Sequence, residues 1–345
     1  MPTKIECALL ETELSRVPAR CRKLEELGYD GTFTFEGPHE PFLPLLLAAE
    51  HAPKLEIGTG VAIALARNPM VTAQLAYELQ KVSKGRFVLG LGSQVRAHVE
   101  RRYSMPYDRP VARMKEFVLA LRAIFGAFEG EGRLAFEGEF YRHTLLPPLF
   151  NPGKNPFGPP RIHLAGVNEQ MVRVVAEVAD GLIVHPFHTK RFLEEVTLPA
   201  VEAGKQRRLH AVAPFEIAVQ ALVVMGETEE ELEQARAATR AQIAFYASTP
   251  SYRAVLESEG YGELQEELQA LTRQGRWGEM AACIDDTLFE RVAYVGTPEE
   301  VAEELHDRLA GFAARIAIAT PFHIGDPCSA RMISRYRAIE AGQSR

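Results

Sequence analysis

Eight short apolar runs, each followed by a stretch of helical length, constrain this 345-residue chain more than any other feature. The runs are Ile5–Leu10, Gly31–Phe35, Leu55–Leu65, Arg86–Gly92, Ile162–Ala165, Gly181–His185, Phe215–Val224 and Ala314–Ala319. The helical stretches are Leu14–Leu27, Pro41–His51, Pro69–Val82, Val111–Phe128, Asn168–Ala179, Lys190–Ala203, Glu299–Leu309 and Ala330–Ala341. Several runs are apolar on both parities, as in Val61–Leu65, which suits parallel strands covered on both faces. Eight strand–helix pairs are the count of a (β/α)8 TIM barrel in the α/β class. A doubly wound sheet uses the same alternation with fewer strands and is the competing architecture. Helix starts are marked too: Thr297-Pro298-Glu299-Glu300 combines an N-cap, a first-turn proline and a capping-box glutamate.

Two segments exceed what a barrel needs. Residues 126–160 follow the fourth helix, are dense in Gly and Pro, and contain a hairpin-like stretch, Leu134–Tyr141. Residues 226–290 follow the seventh strand and read as helical and polar. One barrel domain over 1–345 with these two insertions accounts for the length.

Composition narrows the classes of partner. The formal net charge of −7 argues against a general nucleic-acid binder. No apolar stretch is long enough to span a bilayer, and the M-P-T-K-I-E start lacks the apolar region of a signal peptide. Four scattered cysteines with no C-x-x-C spacing fit a reducing compartment and argue against a thiolate zinc site. These features together predict a cytoplasmic protein.

In a barrel, chemistry sits where the strands end. Strand two runs out into Glu36-Gly-Pro-His39, strand three into Thr59-Gly60-Val61 and then Arg67-Asn68. Strand four ends in Gly92-Ser93-Gln94 with His98 beyond, strand five in Gly166-Val167, and strand six in His185. Glycine at three of these ends lets backbone N–H groups approach a flat or anionic ligand, although tight turns alone would also explain it. Val95 stands where a dinucleotide fingerprint needs its third glycine. P-loop, H-E-x-x-H and G-x-S-x-G motifs are absent. His39, His98 and His185 fall near the mouth without the H-x-H pair that barrel metallohydrolases use, so no metal is expected. Arg96, Arg101, Arg102, Arg109 and Arg113 form either a solvated face or a landing strip for an anionic cofactor tail.

Six stretches occur in order: E-L-G-Y-D-G-T-F-T-F-E at 26–36, I-G-T-G-V-A-I-A-L-A-R-N-P-M at 57–70, G-R-F-V-L-G-L-G-S at 85–93, F-E-G-E-F-Y-R-H at 136–143, A-D-G-L-I-V-H-P-F at 179–187 and V-G-T-P-E-E-V-A-E-E-L at 295–305. Through them the chain resembles the luciferase-like monooxygenase family, in its coenzyme F420-dependent oxidoreductase branch. That resemblance implies a barrel holding F420, or alternatively FMN, at its mouth, often as a homodimer. It implies that Thr59, Gly60 and Val61 support the ring system, with a non-proline cis peptide at or beside Gly60–Val61. Asn68, Gly92, Ser93, Gln94 and His98 fall with the cofactor contacts, and Gly166-Val167 with a phosphate-side turn. Two departures stand out. Many relatives place an acid directly before the histidine after strand two, whereas Gly-Pro separates Glu36 from His39. Val95 replaces the acid of sugar-phosphate dehydrogenase relatives.

A hydride carrier leaves the protein to hold a small-molecule substrate and to move a proton. His39 is the first candidate for that proton, His185 the second, and Glu36 an orienting group. A flavin-type binding protein without turnover is the reading from another class.

Overall fold

The computed structural model describes residues 2–208 and 214–342. Eight parallel strands form its centre: β1 (Lys4–Ala8), β2 (Gly31–Thr34), β3 (Glu56–Thr59), β4 (Phe87–Gly92), β5 (Arg161–Gly166), β6 (Gly181–Val184), β7 (Glu216–Ala221) and β8 (Arg315–Ile318). Their order is β3-β2-β1-β8-β7-β6-β5-β4, and a β4–β3 pairing through Ile57↔Phe87 closes the ring. The sheet is therefore a closed (β/α)8 barrel and not an open doubly wound sheet.

The sequence explains the closure. Ile5, Ile57, Leu89, Ile162, Leu182, Val219 and Ile316 are almost wholly buried, and they face the helical layer. Helices α1 (Val17–Leu27), α2 (Phe42–His51), α3 (Pro69–Val82), α4 (Pro110–Glu129), α5 (Glu169–Val178), α6 (Leu198–Lys205), α7 (Pro298–Leu309) and α8 (Asp326–Glu340) form that layer. In α5 the buried set Met171, Val172, Val175, Ala176 and Val178 follows the i, i+3/i+4 rule and faces the sheet. Thr297 and Glu300 close a reciprocal capping box at the start of α7, as their spacing predicts.

The alternate strand positions point into the barrel, and at its floor they are ionic. Arg315, 3% exposed, bonds Glu56 at 2.5 Å and Glu216 at 2.6 Å and also reaches Glu6. Lys4 and Arg161 add further bridges to Glu56, and Arg161 one to Glu216. Burial works against the charge of Glu56, yet Arg315, Lys4 and Arg161 hold its carboxyl at about 2. Glu6 goes the other way: deep burial raises its pKa despite Arg315, and Glu56 adds to the effect. His163 lies in the same floor, and burial with Arg315 beside it pushes its pKa down to about 3.

Three sequence expectations need adjustment. The run Leu55–Leu65 is not one strand: β3 stops at Thr59, the Gly60–Val61 peptide is cis, and Ala62–Ile63 resumes pairing with β4. The run Phe215–Val224 also divides, because Val223–Val224 leaves the barrel to pair with Tyr294–Val295. The hairpin expected at Leu134–Tyr141 pairs Phe136–Glu137 with Arg142–His143, two residues later. Its turn is fixed by the Glu116 carboxylate, which accepts the N–H groups of Glu139, Phe140 and Tyr141 at 2.7–2.9 Å.

The 226–290 insertion is helical, as expected, and packs around Ile243, Leu256, Leu268, Leu288 and Phe289 with Phe187 and Phe192 from the barrel. No helix among the described residues is long and apolar enough to cross a membrane.

Candidate functional site at the barrel mouth

Above the ionic floor lies a layer of Phe33, Gly58, Val88, Ile183, Ala218 and Ala317, which lines an internal cavity with Glu6, His163 and Gln220. Continuing the alternation towards the strand ends, the inward positions are Ala8, Gly60, Gly90, Gly92, Ala165 and Ala319, with Phe35, His185 and Gln220 among them. The first six carry no more than a methyl group. The mouth is thus a bowl lined largely by backbone and small side chains. The larger groups on its wall are Phe35, His185 and Gln220, the first of them exposed.

The bowl is knitted from strand to strand. The Thr59 hydroxyl donates to Gly90 O at 2.6 Å and accepts the Gly90 N–H at 2.9 Å. Gly60 N–H donates to Thr34 O at 2.6 Å, Glu36 N–H to Val61 O at 3.0 Å, and the Gln220 amide to Gly60 O at 3.1 Å. A Cβ on Gly60 would lie 2.7 Å from the Phe33 ring, and one on Gly92 would lie 2.7 Å from the Val61 side chain. Close internal packing thus requires both glycines before any ligand is considered.

The sequence-selected residues separate into groups. Thr59, Gly60, Val61 and Gly92 come together at the bowl. Ser93 and Gln94 follow on its rim, where Gln94 takes a positive φ of 58° and accepts the Tyr107 hydroxyl on its carbonyl at 3.0 Å. Gly166 and Val167 lead into α5, whose N-cap Asn168 accepts the Met171 N–H at 3.0 Å. Asn68 is exposed and caps α3, its side-chain oxygen taking the Met70 N–H at 2.8 Å. His98 is exposed on the short helix Arg96–Arg101. Among the described residues no three His, Cys, Asp or Glu side chains are grouped to hold a metal ion.

Glu36 does not orient His39. Its carboxylate accepts the Ile63 N–H at 2.7 Å and the Tyr103 hydroxyl at 3.0 Å, and it pairs with Arg67. It locks the segment after β3 against the rim. His39 is exposed on the loop after β2, with no hydrogen bond among the described residues, so both ring nitrogens are free.

His185 is placed differently. Its Nδ1 accepts the Phe187 N–H at 3.1 Å, which leaves the proton on Nε2. Burial, aided by His188, lowers its pKa to about 3, so it is neutral near physiological pH. Tyr252 and Tyr246 from the helical insertion flank the ring at 4.4 and 4.6 Å. His188 donates Nδ1–H to His185 O at 2.9 Å, and burial lowers its pKa to about 4.

The arginine strip is largely consumed. Arg96 pairs with Glu100 and covers Tyr107, Arg109 pairs with Glu139 and Arg113 with Asp108. Arg102 meets only neutral groups, the Gly37 carbonyl and the Tyr103 ring, and Arg101 has no partner among the described residues. Two uncompensated cations remain on that rim.

Sequence reasoning missed Glu6, Gln220 and the tyrosines 107, 246 and 252. A glutamate inside an otherwise apolar strand run was the available signal for Glu6.

The family description "Luciferase-like monooxygenase" matches residues 1–315. An uncharacterized protein of Mycobacterium tuberculosis is 46% identical over 307 residues, covering 89% of this chain and 90% of its own length. The 5,10-methylenetetrahydromethanopterin reductase of Archaeoglobus fulgidus is 25% identical over 305 residues, covering 86% and 87%. Among solved structures, the coenzyme F420-dependent tetrahydromethanopterin reductase of Methanopyrus kandleri superposes with a TM-score of 0.78 at 18% identity, covering 99% of both chains.

Proposed function

The chain belongs to the luciferase-like monooxygenase family and is an enzyme of its flavin- and deazaflavin-dependent oxidoreductases, and on that premise we propose that it transfers a hydride between coenzyme F420 and a neutral small organic molecule. The observation that carries the proposal is the bowl of Ala8, Gly60, Gly92, Ala165 and Ala319, which fits a flat ring and offers no nucleophile or metal-ligand set. F420, when bound, supplies the hydride-carrying ring. Thr59 and Gln220 keep the bowl wall in place, and the Nε2–H of His185 is available to a substrate oxygen or nitrogen. His39, with both nitrogens free on the rim, moves the proton. The α5 N-terminus after Gly166-Val167 suits a phosphodiester, since its first N–H groups lack intrahelical partners.

Choice of F420 over FMN rests on the tail. F420 carries carboxylates beyond its phosphodiester, and Arg101 and Arg102 remain uncompensated beside the strand-four rim in a chain of net charge −7. F420 at a hundredfold excess over its dissociation constant should stabilise the fold by about 2.7 kcal/mol, a rise of several degrees in melting temperature. FMN at the same concentration should do much less, and added salt should erode the F420 effect. Stronger stabilisation by FMN, insensitive to salt, would transfer the assignment to the flavin.

A homodimer is part of the same proposal. Leu43 and Leu46 on α2 and Val71, Leu75 and Val82 on α3 are exposed on neighbouring helices, apolar side chains that a partner copy would cover. Val71→Asp should shift the sedimenting species from dimer to monomer; a monomeric native chain would remove this part.

A further inference from the structure

One aromatic feature extends beyond the bowl. The helix Glu229–Ala247 of the insertion is polar over most of its length, yet it ends with Phe245 49% exposed. Trp277, 52% exposed, lies against it with ring centroids 6.4 Å apart. Phe245 meets Tyr246 at 5.9 Å, and Tyr246 meets His185 at 4.6 Å, with Tyr252 on the other side of that ring. Outside rings therefore connect, contact by contact, to the histidine on the wall of the mouth. No ring in the series bears a formal charge, because burial keeps His185 neutral.

We propose that Trp277, Phe245, Tyr246 and Tyr252 form an outer subsite that holds the apolar tail of a neutral substrate whose reacting carbon lies in the bowl. The inference rests on the mouth being the reaction site. Continuity with the mouth selects this occupant. A surface for an unrelated protein would have no reason to run into His185, and an anionic tail would find the flanking cations Arg253 and Arg276 already paired with Glu257, Glu266 and Glu279. Aromatic faces suit alkyl or aryl chains because they bury large area with few rotatable bonds.

Trp277 is the chain's single tryptophan, so its emission reports on this subsite without a label. In the full-length protein, methyl nonyl ketone should shift the Trp277 emission to shorter wavelength in a saturable way, while butanone at equal concentration should not. Phe245→Ser, a change at an exposed ring, should raise the half-saturating ketone concentration by about tenfold or more, as expected for losing one large apolar contact. Its melting temperature should match the native protein's, as should its stabilisation by F420. No emission shift with methyl nonyl ketone, or equal saturation in Phe245→Ser, would overturn the subsite. An emission shift that follows protein concentration, together with higher oligomers in sedimentation, would also overturn it, by assigning the face to a second copy. If F420 fails to stabilise the native chain while the ketone still shifts Trp277, the cofactor assignment falls and the apolar subsite stands.

Discussion

Acidification from about pH 7 to about pH 4 is expected to remove several kcal/mol of stability and to unfold the protein within that interval. His163 and His188 are buried and His185 is half-buried; all three are neutral in the fold, with pKa values pushed down to about 3, 4 and 3 respectively. In the unfolded chain each takes up a proton below about 6.5. The unfolded state thus binds more protons across this window, and stability falls as pH falls, by on the order of 1.4 kcal/mol per pH unit for each titrating histidine. Glu56 adds a loss of the same sign lower down, from about 4.5 towards its folded value of about 2. Glu6, raised by burial, opposes the trend with a single group. Domains of ordinary stability hold only about 5–15 kcal/mol, so three such sites suffice. Urea midpoints measured at intervals through this range check the expectation. A flat profile down to pH 4 would mean that the three imidazoles take up protons in the folded state.

His39→Asn should lower turnover by about 10²–10⁴-fold and leave F420 affinity within a few-fold, the loss typical of a removed general acid or base. The variant changes an exposed side chain without hydrogen bonds, so the fold should not notice it. His185→Asn is the informative companion. Its ring is fixed by the Phe187 N–H and the two tyrosines, and it should raise KM more than it lowers kcat if it orients the substrate. Full activity in His39→Asn, with the large loss appearing instead in His185→Asn, would reassign the proton transfer. Comparison of pH–rate profiles for the two variants separates a lost proton carrier from a lost hydrogen bond.

The strands were legible because a parallel barrel strand is covered on both faces, so Ile5, Leu89 and Val219 appear as apolar runs regardless of period. Their exact ends were not. Leu55–Leu65 reads as one continuous apolar run, and nothing in its hydropathy marks the turn at Gly60–Val61. Thr59, Gly60, Gly92 and His185 lie at or just beyond strand ends, a position that chain order alone implies. Partnerships were harder. Glu36 was linked to His39 because they are neighbours in sequence, whereas its strongest partner, Arg67, arrives from the next βα segment. Of the acids that consume the arginines after strand four, Glu100 and Asp108 are local and legible, while Glu139 comes from the hairpin and is not. Tyr246 and Tyr252 reach His185 only because the insertion folds back over the sixth strand, and no periodic pattern carries that information.

The floor of the barrel also sets how this chain can change over generations. Glu6, Glu56 and Glu216 share Arg315, so a substitution at any of these positions alters the neutrality of all the others. Their fates are bound together: a drift towards an uncharged floor has to proceed through an intermediate with an orphaned charge, or by simultaneous replacement. At the mouth the dependences are local and steric, Gly60 with Phe33 and Gly92 with Val61, and no charge is shared across strands. Homologues should therefore show correlated exchange at positions 6, 56, 216 and 315, and freer variation at rim positions such as 8, 35 and 319. New specificities can arise at one end of the same barrel while the other stays locked.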